Sequence, residues 1–369
     1  MAVACLKKYK SILNKSWVIC VMNNSLNNCL ESKVDLNGKT ILITGGTGSF
    51  GKAFVKHVLN KFEPKKLIVF SRDEYKQYNM AQKYNDSCMR YFIGDVRDKS
   101  RLTMAMRDVD IVVHAAALKH VPVAEYNPFE CIHTNVLGAE NIVTAALACS
   151  VKKVIALSTD KAVNPINIYG ASKLAADKIL VAANALSGNS ATRFSIVRYG
   201  NVIGSRGSII PYFKQLLDDG CESLPITDKR MTRFWITMEQ GVNFVLNSID
   251  MMYGGEVFIP KMPSMKIEDM VSAIAPNVSS HVIGIRPGEK LHEVLITSDD
   301  TSKIVEQDER FVICPSQYPE VAQKYIENGA NQMPEDFNYS SDSNEDWLDN
   351  ERFIQLVRNT ELVNISFDD

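Results

Sequence analysis

The sequence predicts an α/β protein, a doubly wound parallel sheet with a smaller C-terminal lobe. Three observations carry this. Apolar, β-branched runs alternate with stretches of helical period from Lys39 to about residue 204. The first run leads into a glycine-rich turn and then a helix. Beyond about Ser205 the alternation breaks into short segments separated by Gly and Pro. Apolar strands alternating with helices imply a parallel sheet covered on both faces, with the strand C-termini along one edge where ligands bind.

The first unit is TILIT, then GGTGSFG, then FGKAFVKHVLNKF with apolar residues at helical spacing: strand, glycine turn, helix. KLIVF (residues 66–70) reads as a second buried strand, RYFIGDV as a third and DIVVHAAA as a fourth, with helical stretches between them. After the helical segment HTNVLGAENIVTAALACS comes a fifth strand, KKVIALST, and later a sixth, FSIVRYGNVIG. Past it, IIPYFKQLL, DKRMTRFWIT, GGEVFIP and IGIRPGEKLHEVLI form the mixed lobe. The domain expectation is a leader over 1–36 outside the fold, a dinucleotide-binding domain over 37–204 with segments returning from later in the chain, a substrate lobe over 205–315 and a tail over 316–369. Residues 330–350, rich in Asn, Asp, Glu and Ser, read as loosely attached or disordered. WLDNERFIQLV after them has a weak helical period, and no internal repeat is visible.

With 369 residues, 46% hydrophobic and 23% charged, the chain has enough apolar material for a large core or for one main domain and a lobe. Its 41 basic and 43 acidic residues leave a formal charge of −2, so no global attraction to nucleic acid or to an anionic membrane is implied. Eight scattered cysteines without a CxxC pair, and six histidines without metal-ligand spacing, read as free thiols in the cytoplasm and no metal site. No apolar run approaches the ~20 residues of a membrane span. SWVICVM (residues 16–22) is too short and lacks a small-residue cleavage site, so no signal peptide is read. Met22 offers an alternative start, and a short N-terminal helix docked on the core is the alternative reading of the leader.

In TGGTGSFG, Gly45, Gly48 and Gly51 recur every three residues between strand and helix. That spacing lets the backbone turn tightly and brings a dinucleotide pyrophosphate to the helix N-terminus. Which dinucleotide is read at the end of the second strand. There Ser71 and Arg72 stand where an acidic residue would hold the ribose of NAD, and they suit the extra phosphate of NADP. NADP is favoured, and Asp73 keeps NAD as the alternative. Asp95 and Val96 close the third strand where an adenine would lie, and the short side chains of Ala115, Ala116 and Ala117 close the fourth beside the nicotinamide ribose. In STDKAVNPINIYGASK (residues 158–173), Tyr169 and Lys173 are four apart and share a helix face. An ammonium beside a phenol lowers a pKa that starts near ~10 and makes a usable base; taken alone, the pair reads first as an exposed Tyr and a solvated Lys, and the context decides.

TGGTGSFG, HAAALKHVP and YGASK resemble the extended short-chain dehydrogenase/reductases, nucleotide-sugar enzymes with a Rossmann domain and a substrate lobe. STDKAVNPINIYGASK, RYGNVIGSRGSIIP, MTRFWIT and IRPGEKLHE together resemble the inverting 4,6-dehydratases of UDP-N-acetylglucosamine, which open pseudaminic acid biosynthesis. The likeness spans roughly residues 37–315. It implies that Tyr169, assisted by Lys173, takes the 4-hydroxyl proton, and that Lys161 is the carbon-5 base, Asp160 the acid for the leaving 6-hydroxyl and Thr159 their orienting neighbour. A Lys base works best with its pKa brought toward neutrality. At the cofactor, Thr47, Ser49, Phe50, Lys119, Asn135 and Val202 are expected as well. Lys119, Asn201, Ile209, Thr227, Arg286 and Glu289 are expected around the UDP-sugar, and a homo-oligomer is expected. Arg233 and Trp235 are open between lobe packing and a substrate wall. The nearest rival is a UDP-hexose 4-epimerase, which shares the Tyr-Lys pair and not the Asp160-Lys161 pair; a retaining dehydratase and a non-catalytic NADP-binding sensor are further alternatives.

Overall fold

The computed structural model describes residues 34–360 apart from Asn189, Thr301 and Asn359. Residues 1–33 of the expected leader lie outside the described residues. Its last residues do not behave as a leader: Val34 and Leu36 are buried in the main core.

Each of the six expected strands forms. They are β1 (Thr40–Thr44), β2 (Lys66–Ser71), β3 (Met89–Ile93), β4 (Ile111–His114), β5 (Lys153–Thr159) and β6 (Arg193–Tyr199). β1 and β4 are buried along their whole length, which is why their sequences are continuous apolar runs. The chain then leaves the sheet for β7 (Asn201–Val202), β8 (Ser223–Ile226) and β9 (Thr232–Ile236). It returns as β10 (Val257–Pro260), then leaves again for β11 (Ser264–Lys266), β12 (Ser279–Val282) and β13 (Val294–Ile296). It returns a second time through β14 (Ile304–Gln307), β15 (Arg310–Ile313) and β16 (Asn331–Gln332) before β17 (Tyr339–Ser340). The ten-stranded sheet runs β3-β2-β1-β4-β5-β6-β10-β15-β14-β16. It is parallel as far as β10, and its last three pairings are antiparallel.

The order reverses between β1 and β4, and a crevice opens at the strand C-termini there. The two strand ends are tied by Thr44, whose Oγ1 lies 2.8 Å from His114 Nδ1. Burial, then the Lys173 cation, pulls His114 down to about 3, so the ring is neutral at ordinary pH. The helix Ile168–Leu186 packs on β5 and β6. It starts where the Asn167 side chain accepts from Gly170 N at 2.7 Å, satisfying one of the free donors of its first turn.

Two apolar cores result. The larger lies on the ten-stranded sheet and includes residues from β10, β14 and β15. The smaller, in the lobe, gathers Ile203, Ile210, Phe213, Leu224, Trp235, Met265 and Met270. Trp235 therefore packs the lobe. The segment 330–350, expected to be loose, is built into both cores. Tyr339 joins the larger and Leu348 the smaller, and β17 pairs with β13. Its polar side chains turn inward as partners for the backbone: Asn344 Nδ2 donates to Met262 O, Ser264 Oγ and Asp346 O, and Trp347 Nε1 donates to Asn344 O. Among the described residues no helix is long and apolar enough to cross a membrane.

Candidate active site

The loops after β1, β4 and β5 and the loop before β13 enclose a cleft of about 930 Å³. The glycine loop forms one end. Gly45 has φ +65°, and a Cβ there would stand 2.9 Å from the Ala116 backbone, so the loops after β1 and β4 touch with no room for a side chain. A Cβ on Gly51 would lie 2.4 Å from Gly46 Cα, which packs the first helical turn onto the loop. The helix Ser49–Lys61 begins at Gly48 without a side-chain cap and without an acidic residue in its first turn. Its free N–H groups and dipole fit an anionic group, and Thr47, Gly48, Ser49 and Phe50 line the cleft beside them.

At the ends of β2 and β3, Ser71, Arg72, Asp95 and Val96 line the same cleft, as do Ala115, Ala116 and Val202 opposite. Ser71 Oγ meets Thr47 Oγ1 at 2.8 Å. Arg72 is more than half exposed and lies 3.7 Å from Asp95, whose carboxylate is also held by Arg97 at 2.8 Å. Asp73, the residue that kept NAD open, caps the helix Glu74–Lys83. It accepts from Lys76 N at 2.9 Å and pairs with Lys76 Nζ. Asn135 is not on the cleft wall. It is buried in the π-helical turn His133–Leu137, where Oδ1 accepts from Leu118 N at 2.8 Å and Nδ2 donates to Leu118 O and Ser172 Oγ at 3.0 and 2.9 Å. It braces the β4 loop against the helix carrying Tyr169, while its neighbour Thr134 faces the cleft.

The chemistry-bearing cluster stands at the end of β5. Thr159 Oγ1 donates to Asp160 Oδ1 at 2.8 Å and caps the 3-10 turn Asp160–Ala162. Lys161 Nζ lies 3.0 Å from Asp160 Oδ1 and 3.3 Å from Glu293 Oε1. Glu293 in turn is 3.7 Å from Arg233 Nε. Burial works to lower the Lys161 pKa, but Asp160 and Glu293 outweigh it and hold the ammonium above the usual lysine value. The expected shift toward neutrality is thus reversed, because a second carboxylate faces the same nitrogen. Tyr169 is buried, which pushes its phenol up to about 12 against the pull of Lys161 and of a hydrogen bond with Thr159. Lys161 is thus a cation that acts on the Tyr169 phenol. Lys173 also lines the cleft, but its Nζ donates to Leu157 O at 2.7 Å.

Two further corrections concern the carboxylates. Asp160 and Glu293 are each 1% exposed, but Glu293 is among the residues that line the cleft, as Thr159 and Lys161 are, and Asp160 is not. Glu293 escaped notice because it is the second of two glutamates in IRPGEKLHE. Its placement depends on β17, since Glu293 N donates to Ser341 Oγ at 2.9 Å and Glu293 O accepts from Ser341 N at 2.8 Å. Arg233, left open before, is locked by donating to the carbonyls of Thr232, Lys290 and Leu291. Its role is to hold this corner of the site.

The residues expected around the sugar nucleotide surround the other end of the cleft: Lys119 on the loop after β4, Asn201 on β7, Ile209 at the start of the helix Ile209–Asp218, Thr227 after β8, and Arg286 with Glu289. Arg286 and Glu289 pair at 3.7 Å, and Glu289 Oε2 is buried without a hydrogen-bond partner. Partial burial, then Lys161 and Arg206, lowers the Lys119 pKa. Among the described residues no group of three or more His, Cys, Asp or Glu could hold a metal ion.

Residues 41–315 match the model of a family described as polysaccharide biosynthesis protein. The chain is 56% identical over 330 residues to a UDP-N-acetylglucosamine 4,6-dehydratase (inverting) of Campylobacter jejuni subsp. jejuni serotype O:23/36, covering 88% of this chain and 99% of that one. It is 44% identical over 273 residues to a UDP-glucose 4-epimerase of Rickettsia bellii, covering 72% and 80%. Among solved structures, the X-ray structure of Pen from Bacillus thuringiensis superposes with a TM-score of 0.80 at 37% identity, covering 89% of this chain and all of that one. With a glycine cradle, a Tyr-Lys helix and an Asp-Lys turn on one cleft, and with these matches over most of its length, the chain belongs to the polysaccharide biosynthesis protein family, on the extended short-chain dehydrogenase/reductase architecture.

Proposed function

We propose that the protein is a UDP-N-acetylglucosamine 4,6-dehydratase that inverts carbon 5, giving UDP-2-acetamido-2,6-dideoxy-β-L-arabino-hex-4-ulose, the first step toward a pseudaminic acid-type sugar. The observation that carries this is the Lys161 ammonium, held at 3.0 Å by Asp160 and set in the same cleft as Tyr169 and the glycine loop. Oxidation and re-reduction at carbon 4 need only the Tyr-Lys helix; removal of water also needs a base for the carbon-5 proton. The name of the 56% identical relative supports the same reading.

The dinucleotide, when bound, supplies a hydride acceptor for carbon 4 and a hydride donor for carbon 6, so no external oxidant is consumed. Gly45, Gly48 and Gly51 with the uncapped helix would hold its pyrophosphate. NADP is the proposed form, supported by the exposed Arg72 guanidinium and by the engagement of Asp73 as a helix cap. Tyr169 takes the 4-hydroxyl proton as its phenolate, the form that Lys161 and the Thr159 hydrogen bond favour against burial. Once carbon 4 is a ketone, the carbon-5 proton is acidic and passes to Lys161. Arg286 presents a fork to the diphosphate, and Glu289 accepts from sugar or ribose hydroxyls. The domain reading carried forward is a dinucleotide-binding sheet completed by returning strands, with the lobe over its ligand edge. A homo-oligomer is supported by the exposed rings of Tyr126 and Phe129, and a reducing cytoplasmic setting by the free thiols.

Mass spectrometry after incubation with UDP-N-acetylglucosamine tests the reading: loss of one water is expected. An unchanged mass with altered configuration at carbon 4 would favour the epimerase that the Rickettsia relative is named for. In deuterated water the product should carry one deuterium at carbon 5, with ring couplings reporting inversion. A freshly formed product retained at carbon 5 would refute inversion and leave the dehydratase assignment standing.

A further inference from the structure

We propose that Glu293 is the proton relay of the elimination step, taking a proton from Lys161 and delivering it to the leaving 6-hydroxyl. This rests on the dehydratase reading and assigns a residue that the sequence motifs did not. A group that protonates the leaving oxygen must reach the cleft. Asp160 is not among the residues that line it: its Oδ1 already serves Thr159 and Lys161, and its Oδ2 is buried without a hydrogen-bond partner. Glu293 is on the wall of the cleft, with Oε1 3.3 Å from Lys161 Nζ and Oε2 buried without a hydrogen-bond partner.

The groups facing this carboxylate come from every neighbouring element. Lys161 and Asp160 belong to the turn after β5, Arg233 to β9, and Lys290 to the loop before β13. His292, beside it in sequence, points its Nδ1 at Thr232 Oγ1. Three cations, Lys161, Arg233 and Lys290, thus face two carboxylates, Asp160 and Glu293, in this corner. The resting ammonium of Lys161 has no lone pair for a carbon-5 proton until it gives one up, and Glu293 is the acceptor that also touches the cleft.

The step balances without a co-reactant. An N–H bond of the Lys161 ammonium breaks and an O–H bond forms on Glu293, leaving a neutral amine and a neutral carboxyl. The carbon-5 C–H bond then breaks toward the amine, its electron pair becomes the second bond between carbons 5 and 6, and the carbon 6–oxygen bond breaks. The departing hydroxide takes the Glu293 proton as water. Lys161 ends as ammonium and Glu293 as carboxylate, as they began, and no electrons are gained or lost overall.

A leaving group that needs no proton separates this role from a structural one. Wild-type, Glu293→Gln and Asp160→Asn proteins are to be given UDP-N-acetylglucosamine and its 6-deoxy-6-fluoro analogue, with water loss read by mass spectrometry and fluoride by electrode. Glu293→Gln should be slowed at least ~100-fold on the hydroxyl substrate, the usual worth of a positioned acid, and should recover on the fluoride to within about tenfold of wild type as the pH is raised and Lys161 gives its proton to solvent instead. Equal slowing on both substrates across the whole pH range, wild-type rates on both, or fluoride rescue of Asp160→Asn and not of Glu293→Gln would overturn the proposal. Should Glu293→Gln fail to fold by circular dichroism, Glu293→Asp, whose carboxyl sits one methylene back, is expected to show the same selective rescue, and its absence there is equally decisive. Failure of the wild type to release water from the natural substrate would instead refute the dehydratase reading on which the relay depends.

Discussion

Replacing Lys161 with methionine keeps the bulk of the side chain and removes the cation from between two carboxylates whose side chains are 1% and 2% exposed. Breaking a buried ion pair from one side costs about 3–5 kcal/mol, because the remaining charge is left uncompensated. Lys161 itself is 28% exposed, so water reaches this corner and the lower end of that range, about 3 kcal/mol, applies. For a chain of this length that corresponds to a fall of about 4 °C in Tm. The sign of the pH dependence is the sharper test. In the wild type the Lys161 pKa is raised, so its contribution is fully present below the unfolded lysine value and is lost only as the pH rises through the folded value; between pH 5.5 and 8 it is constant. In the variant Asp160 is left buried with no cation beside it while Glu293 keeps Arg233 at 3.7 Å, so stability recovers as the pH falls and the uncompensated carboxylate takes up a proton. Thermal unfolding followed by circular dichroism at pH 5.5 and pH 8 should therefore show a smaller deficit at the lower pH. A deficit equal at both, or none at either, would refute the argument that Lys161 neutralises Asp160 and Glu293.

Gly45→Ala should destabilise by about 2–5 kcal/mol, adding a left-handed conformation to a clash with the Ala116 backbone. Gly38→Ala, at φ +66° in open space, should lose only the first part, about 1–2 kcal/mol; equal urea midpoints for the two would remove the close approach as a cause. Arg72→Ala should weaken NADP by roughly tenfold or more and NAD much less, by calorimetric titration, since only the phosphate loses a charge-assisted contact. Ser341→Ala should lower turnover more than dinucleotide affinity, because it removes the acceptor of the Glu293 N–H, one of the two bonds seating Glu293, and leaves the glycine loop untouched; parallel losses in both would contradict that separation.

Much of the sheet was legible because its strands are buried on both faces and so appear as uninterrupted apolar runs, and the glycine loop because three close approaches demand three glycines at fixed spacing. What escaped was set by contacts between distant segments. Nothing local distinguishes Glu293 from Glu289; only the pairing of β13 with β17 decides which of them meets Lys161. Once Glu293 was missed, the direction of the Lys161 shift was misread as well. Asn135 carries a side chain suited to a ribose and spends it on Leu118 and Ser172 instead. The segment 330–350 has the composition of a loose tail, yet its amides and hydroxyls satisfy backbone groups of the lobe and of the main core, which composition alone does not register.

The anchoring of Glu293 by Ser341 sets an order of assembly during synthesis. The glycine loop, Tyr169, Lys173 and the Asp160-Lys161 turn have all been made by residue 173, but the backbone bonds that seat Glu293 require residue 341. A ribosome that has made two thirds of the chain has thus encoded the oxidising half of the site and not the finished eliminating half. A nascent or prematurely ended product would carry the former without the latter. The segment around Ser341 acts as the clasp that seats Glu293, so a chain ended before it lacks the bonds that hold this carboxylate beside Lys161.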